Sequence, residues 1–242
     1  MSLSIVTETP DRQRAPIVDD VCGRLRARPY TDACADILER AEHVVIGLSP
    51  FNGYFSATAI QRMIAWGCRH FRKVDVLLPG YEAIYTLTAA GLAPIEATRK
   101  LRRELLRLRN TSLRSLQDHD VEHPQQRIHS WTRLLENRSY LALRQQVRRT
   151  YGDDFSVRQA CRNAAITAVE GAMGQRPDER RLAQAVHYPL AELPFFVDSP
   201  AIYGVCSSVF AYPRPISLVH SLSIGSDAAL ARTDGQGFVS FE

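Results

Sequence analysis

The 242-residue sequence predicts a single α/β domain built on a parallel sheet with helices on both faces. Three segments carry that prediction. HVVIGLS (43–49) is a β-branched run with no polar residue at 44–48, which suits a strand buried on both faces. SATAIQRMIAWGCRH (56–70) sets Ile60, Met63, Ile64 and Trp66 at helical spacing. KVDVLLP (73–79) is a second strand, stopped at Pro79-Gly80. Strand, helix and strand within about 37 residues make a βαβ unit, which is right-handed by strong rule.

The remaining elements follow in chain order. Residues 1–15 read as a polar, flexible arm, and 17–41 as two short helices broken near Pro29. YEAIYTLTAAG (81–91) is a short helix closed by Gly91. Residues 93–119 form a long one, with Pro94 in its first turn and Glu96 just after. RIHSW (127–131) resembles a third strand. Residues 132–150, 155–173 and 179–193 are helical in pattern, with a polar break at GQRPDERR. SSVFAYP (207–213) and ISLVH (216–220) read as strands or extended segments, and DGQGF (234–238) as a turn. The chain carries no internal repeat and no low-complexity segment.

Composition is that of an ordinary globular protein, with 45% hydrophobic and 23% charged residues. No apolar run is long enough to span a bilayer, and MSLSIVTETPDRQR lacks the basic-then-apolar pattern of a secretory signal. The expected location is the cytoplasm, and the expected state a monomer. Five scattered cysteines (Cys22, Cys34, Cys68, Cys161, Cys206) form no C-x-x-C pair, so neither a zinc site nor a disulfide framework is indicated. Buried, inert thiols are the default reading. Of the 30 basic residues all but Lys73 and Lys100 are arginine, giving a formal net charge of +4.

Ser49 stands where the first strand ends, in GLSPFNGYF. In parallel α/β sheets that edge binds ligands. Gly47 allows close approach to the backbone, and Gly53 would permit a positive φ in the turn. Taken alone, a serine here is as readily a turn or helix-cap residue. The segment is not the G-x-S-x-G elbow, since Phe51 replaces the second glycine. His43, at the far end of the strand, is not placed to be its base.

GLSPFNGYFS resembles the first signature of the cyclodipeptide synthases: glycine, a catalytic serine, asparagine and then Tyr-Phe. YPLAELPFFVDSPAIYGVCSSVFAYP (188–213) resembles their second: Tyr, three residues, Glu, a proline with paired apolar residues, D-S-P, and S-S-V ending at Tyr. The likeness spans roughly residues 30–220. It implies a Rossmann-like fold similar to the catalytic domain of class Ic aminoacyl-tRNA synthetases, with aminoacyl-tRNAs as substrates and no cofactor. The chain has neither phosphate-loop nor dinucleotide fingerprint, and the HIGH and KMSKS signatures are absent, which fits substrates that arrive already activated.

By the resemblance Ser49 attacks the ester of a first aminoacyl-tRNA, and the amine of a second then attacks the aminoacyl-enzyme. The dipeptide finally closes into a ring and frees Ser49. Tyr188 and Glu192 match the pair that grips the substrate α-amine, and Tyr212 the tyrosine that completes the site and relays protons. Tyr188 and Glu192, spaced i, i+4, share a face if the segment is helical, which requires Pro189 to sit in a first turn or at a kink. Asn52 together with Tyr212-Pro213 mixes the family's two subgroups, and the Tyr-Pro group is the one assigned. Val45, Gly47, Leu77, Phe195, Phe196 and Phe210 match the first aminoacyl pocket. Three phenylalanines there imply a small first amino acid, alanine foremost. Arg214, just after the Tyr-Pro pair, would pair with a carboxylate, implying an acidic second amino acid, glutamate before aspartate; taken alone it is a solvated arginine.

Between Arg99 and Arg109, six of eleven residues are basic: Arg99, Lys100, Arg102, Arg103, Arg107 and Arg109, with Arg114 further along. A one-sign helix face is an electrostatic footprint for phosphate, and the family holds tRNA on a basic helix here. Two other functions stay open on sequence. One is an aminoacyl-tRNA hydrolase or editing enzyme using the same serine. The other is a non-catalytic tRNA-binding module in which Ser49 is only a turn residue.

Overall fold

The computed structural model describes residues 18–19, 25–174, 176–219 and 230–242; the predicted N-terminal arm lies outside them. Seven strands form one sheet: β1 (Val18–Asp19), β2 (Arg26–Pro29), β3 (His43–Gly47), β4 (Lys73–Leu78), β5 (Ile128–Ser130), β6 (Ser208–Tyr212) and β7 (Gln236–Phe241). Their order is β1-β2-β7-β6-β3-β4-β5. The run from β7 through β6, β3 and β4 to β5 is parallel, while β1 and β2 close the β7 edge antiparallel. The sheet is therefore mixed, with the predicted parallel sheet as its larger part.

β3 is buried at every position, as its apolar run requires. Val44 and Ile46 face α1 (Asp32–Arg40), α2 (Ala57–His70) and α4 (Pro94–Asp118), packing on Ile37, Ile60, Ile64 and Leu108. Val45 faces the opposite layer of α5 (Arg138–Asp153), α6 (Phe155–Met173) and α8 (His187–Tyr203). The helix ends follow their sequence signals. Ser56 accepts the Ala59 N–H at 3.2 Å to start α2, Pro94 opens α4, and Gly174 closes α6 in the left-handed region. α3 (Ala83–Ala89) and α7 (Glu179–Ala185) are short. Pro189 falls in the first turn of α8, where its missing N–H costs nothing. The helix kinks at Asp198, whose carboxylate accepts the Ala201 N–H at 3.0 Å and restarts the helical run.

Three sequence expectations differ. The described residues of 17–41 hold β1, β2 and a single helix, because the alternating RARP segment finds an edge on β7. The expected C-terminal turn covers only the approach to β7, an interior strand. Ser217–Val219 is helical rather than extended, and His220 lies outside the described residues. Cys34 and Cys161 are buried, but Cys206 is exposed. Among the described residues no helix is long and apolar enough to cross a membrane, and no cluster of three or more His, Cys, Asp or Glu could hold a metal.

Candidate active site

β3 and β6 are parallel neighbours from which the chain departs in opposite directions along the sheet, so their carboxyl ends frame a crevice. Ser49 leaves β3 there, and Tyr212 ends β6. Gly47 is required because a Cβ on it would lie 2.5 Å from the Phe210 ring. The turn beyond Ser49 takes its left-handed residue at Phe51, with φ 64°, and not at Gly53. A non-glycine residue in that region is uncommon and marks a backbone held by its surroundings.

The Tyr212 hydroxyl donates to Ser49 Oγ at 2.9 Å, and the Tyr188 hydroxyl lies 3.4 Å from the same oxygen. Asn52 Nδ2 donates to the Tyr212 oxygen at 3.4 Å, and the Phe55 ring meets the Tyr212 ring edge-on at 5.4 Å. Glu192 lies one helical turn beyond Tyr188 and lines the same cavity, of about 430 Å³, with Ser49, Asn52 and Tyr212. Burial pushes the Glu192 carboxyl up to about 8. Burial, and then the Glu192 charge, push Tyr212 up to about 12 and Tyr188 well above the ordinary phenol value. Both phenols thus stay protonated at neutral pH and remain donors. Among the described residues no basic side chain lines the cavity, so the buried Glu192 carboxyl has no cationic partner in its lining.

His43 is engaged elsewhere. It bonds Ser208 Oγ at 2.8 Å and Asp75 at 2.9 Å, while His129 bonds the other Asp75 oxygen at 3.0 Å. Glu42 accepts from the Ser207 N–H and hydroxyl at 2.7 and 2.8 Å. The S-S pair of the second signature therefore ties the start of β6 to β3, as D-S-P makes the kink of α8. Both hold the fold together, while Tyr188, Glu192 and Tyr212 line the cavity with Ser49.

Other expected site residues are placed differently. Val45, Leu77, Phe195, Phe196 and Phe210 are fully buried in the core, and neither they nor Gly47 line the cavity. Phe210 meets Phe196 edge-on at 5.0 Å, and Phe195 stacks on Tyr140 at 5.1 Å. The three phenylalanines therefore belong to the packed core, Phe195 against Tyr140 and Trp131 and Phe196 against Phe210 and Phe238. Arg214 is exposed, with its guanidinium 4.0 Å from the Tyr54 ring centroid, and does not line the cavity. Sequence reasoning missed the wall given by α6, where Ala164, Thr167, Ala168, Gly171 and Ala172 share one face. Small residues at helical spacing were the available signal.

On α4, Arg99, Arg102 and Arg103 are exposed around an open depression beside Ile95. Arg114 is exposed and Arg109 half-buried. Lys100 stands 5.3 Å from the Phe51 ring centroid. Arg107 forks onto Glu104 at 2.7 and 2.9 Å and donates to the Phe55 carbonyl at 3.0 Å.

The serine at the sheet's switch point, the two phenols on its oxygen and the buried carboxyl thus share one cavity at the carboxyl edge of an α/β fold. The chain belongs to the cyclodipeptide synthase family, whose model matches residues 25–242. It is 36% identical over 219 residues to the cyclo(L-leucyl-L-leucyl) synthase of Bacillus subtilis (strain 168), covering 88% of this chain and 87% of that protein. A crystal structure of a cyclodipeptide synthase from Bacillus thermoamylovorans superposes with a TM-score of 0.85 at 30% identity, over 90% of this chain and 96% of that one. A Mycobacterium tuberculosis structure, described as relating cyclodipeptide synthetases to type I tRNA synthetases, superposes with a TM-score of 0.80 at 26% identity, over 95% and 97% of the two chains.

Proposed function

We propose that this chain joins two amino acids delivered as aminoacyl-tRNAs, through an aminoacyl ester on Ser49. The observation that carries the reading is the convergence of the Tyr212 and Tyr188 hydroxyls on Ser49 Oγ beside the cavity-lining Glu192. Ser49 Oγ attacks the ester carbonyl, and the Ser49 proton passes by way of Tyr212 to the departing tRNA 3′ oxygen. The amine of the Ser49-bound aminoacyl group attacks the ester carbonyl of the second aminoacyl-tRNA, breaking its bond to the tRNA 3′ oxygen and giving a dipeptidyl ester on Ser49 with a second free tRNA. The amine of that dipeptide then attacks the Ser49 ester carbonyl, closing the ring and returning a proton to Ser49 Oγ. Glu192 holds the ammonium of an arriving substrate and accepts its proton as the amine becomes a nucleophile. Arg99, Arg102 and Arg103 supply the exposed charge for tRNA phosphates.

Both amino acids are read as neutral and aliphatic. The lining offers Ala, Gly, Thr, Pro, Ile and Leu side chains but no cation among the described residues to pair with a side-chain carboxylate. Arg214, spent on Tyr54, gives no support to an acidic partner. Asn52 acts through Tyr212, and the Tyr212-Pro213 pair keeps the chain in the Tyr-Pro group. Mass spectrometry of medium from cells expressing wild type and Ser49→Ala tests the reading. The expected result is neutral aliphatic cyclic dipeptides from wild type alone. Equal yield from Ser49→Ala would overturn the mechanism, acidic rings would overturn the specificity, and free amino acid without rings would make the protein a hydrolase.

A further inference from the structure

We infer that Arg107 and Glu104 are positioning residues for the Ser49 loop rather than part of the tRNA-binding face, an inference that rests on the acyl-enzyme reading above. Sequence groups Arg107 with the phosphate-binding arginines, since it lies one turn beyond Arg103. Its contacts say otherwise. Both Nε and one Nη donate to the Glu104 carboxylate, and the same Nη donates to the Phe55 carbonyl at 3.0 Å. The Phe51 backbone N–H lies near enough to Glu104 to help hold its carboxyl charged. One ion pair thus meets both ends of the five residues from Phe51 to Phe55.

Those five residues carry parts the site needs. Phe51 holds the left-handed turn and lines the cavity. Asn52 and Phe55 both touch Tyr212, the donor to Ser49. A left-handed phenylalanine does not persist unless its surroundings impose it, and the Glu104 carboxylate near its N–H is such a constraint. Lys100, over the Phe51 ring from the same helix, adds a second hold. The helix that presents Arg99, Arg102 and Arg103 outward therefore grips the nucleophile's loop with its adjoining face. Arg107 is exposed, yet its Nε and one Nη are committed to a carboxylate and a carbonyl, which leaves only the second Nη to face phosphate, and a lysine cannot reproduce two directed bonds from one planar group.

The test measures Ser49 acylation in single turnover at saturating leucyl-tRNA, together with tRNA affinity across a salt series, for wild type, Arg107→Ala, Arg107→Lys and Arg102→Ala. Rates are normalised to folded protein by circular dichroism. A loop displaced by roughly an ångström costs on the order of 100-fold in rate. Arg107→Ala should therefore acylate about 10- to 100-fold more slowly, with tRNA affinity within about twofold of wild type and an unchanged salt slope. Arg107→Lys should fail almost as badly despite keeping its charge, whereas Arg102→Ala should weaken tRNA binding and flatten its salt slope. In a Tyr212→Phe background the loss from Arg107→Ala should shrink, because both changes act on one contact. Should Arg107→Ala not fold, Glu104→Gln, which keeps shape and one acceptor, should slow acylation about 3- to 10-fold. Full activity of Arg107→Lys, or an Arg107→Ala variant with a wild-type saturated rate, would overturn the inference. A wild type that never acylates Ser49 would instead remove the reading beneath it.

Discussion

Replacing Glu192 with Gln removes the acidic group of the cavity wall while keeping the side chain's volume. With the carboxyl raised to about 8 by burial, about nine in ten empty molecules hold it protonated at pH 7. A substrate ammonium docks in full only after that proton leaves, at a cost of about 1.4 kcal/mol one unit below the midpoint. An ammonium about 4 Å from the carboxylate gains roughly 4 kcal/mol at an effective dielectric constant near 20. The net, roughly 2–3 kcal/mol, corresponds to about 30- to 150-fold in affinity. Because the carboxylate is the binding form, affinity should climb as pH rises towards about 8. It should fall again once the substrate amine, ordinarily near 7.7–8, loses its own proton. Titrating wild type and Glu192→Gln with a non-hydrolysable aminoacyl-adenosine amide, from about pH 6 to about pH 9, reads both effects. Wild type should give a bell and the variant a weaker curve without the acidic limb. Equal affinities, or an acidic limb that survives in the variant, would refute the assignment of Glu192 as the ammonium partner.

Two further outcomes follow from the same structure. A carboxyl whose folded value lies above its unfolded one costs stability as pH rises. Glu192→Gln should therefore leave Tm unchanged near pH 4.5 and raise it progressively up to about pH 8, which a pH series of thermal melts checks. Reversing the charge of Arg99, Arg102 and Arg103 together should weaken tRNA binding steeply and flatten its salt dependence by about one unit of slope per lost phosphate contact. An unchanged slope would mean that tRNA docks elsewhere.

The sequence was most readable where one physical requirement dominates. A strand buried on both faces has no freedom to be polar, so β3 announces itself, and Pro94 with Glu96 marks the start of α4. The two motifs also point at one another across 163 residues, and the β3–β6 register joins them as the Tyr212–Ser49 contact. β7 was hidden because its segment is short and follows Asp234-Gly235, a turn signal, although Gly237 is there to admit Ile37 against the sheet. The phenylalanine trio shows the limit of position matching, since whether large side chains narrow a pocket or fill the core depends on how they pack. Arg107 shows the same limit for charge. Spacing reveals which face a guanidinium occupies but not that a carboxylate and a loop carbonyl have already claimed it. Gly53 drew the expectation of a left-handed turn by residue type, while that conformation falls on Phe51, whose ring lies beside Lys100.

The central claim is a covalent aminoacyl intermediate on Ser49, and trapping it is the most direct test. Wild-type enzyme mixed with leucyl-tRNA labelled in its amino acid, acid-quenched within a single turnover and digested, should yield the peptide containing Ser49 with the mass of one leucyl residue added. The label should then be chased into a cyclic dipeptide when more leucyl-tRNA is supplied, and Ser49→Ala should carry no adduct. Ring formation with no mass added at Ser49, or an adduct that persists in Ser49→Ala, would contradict the account.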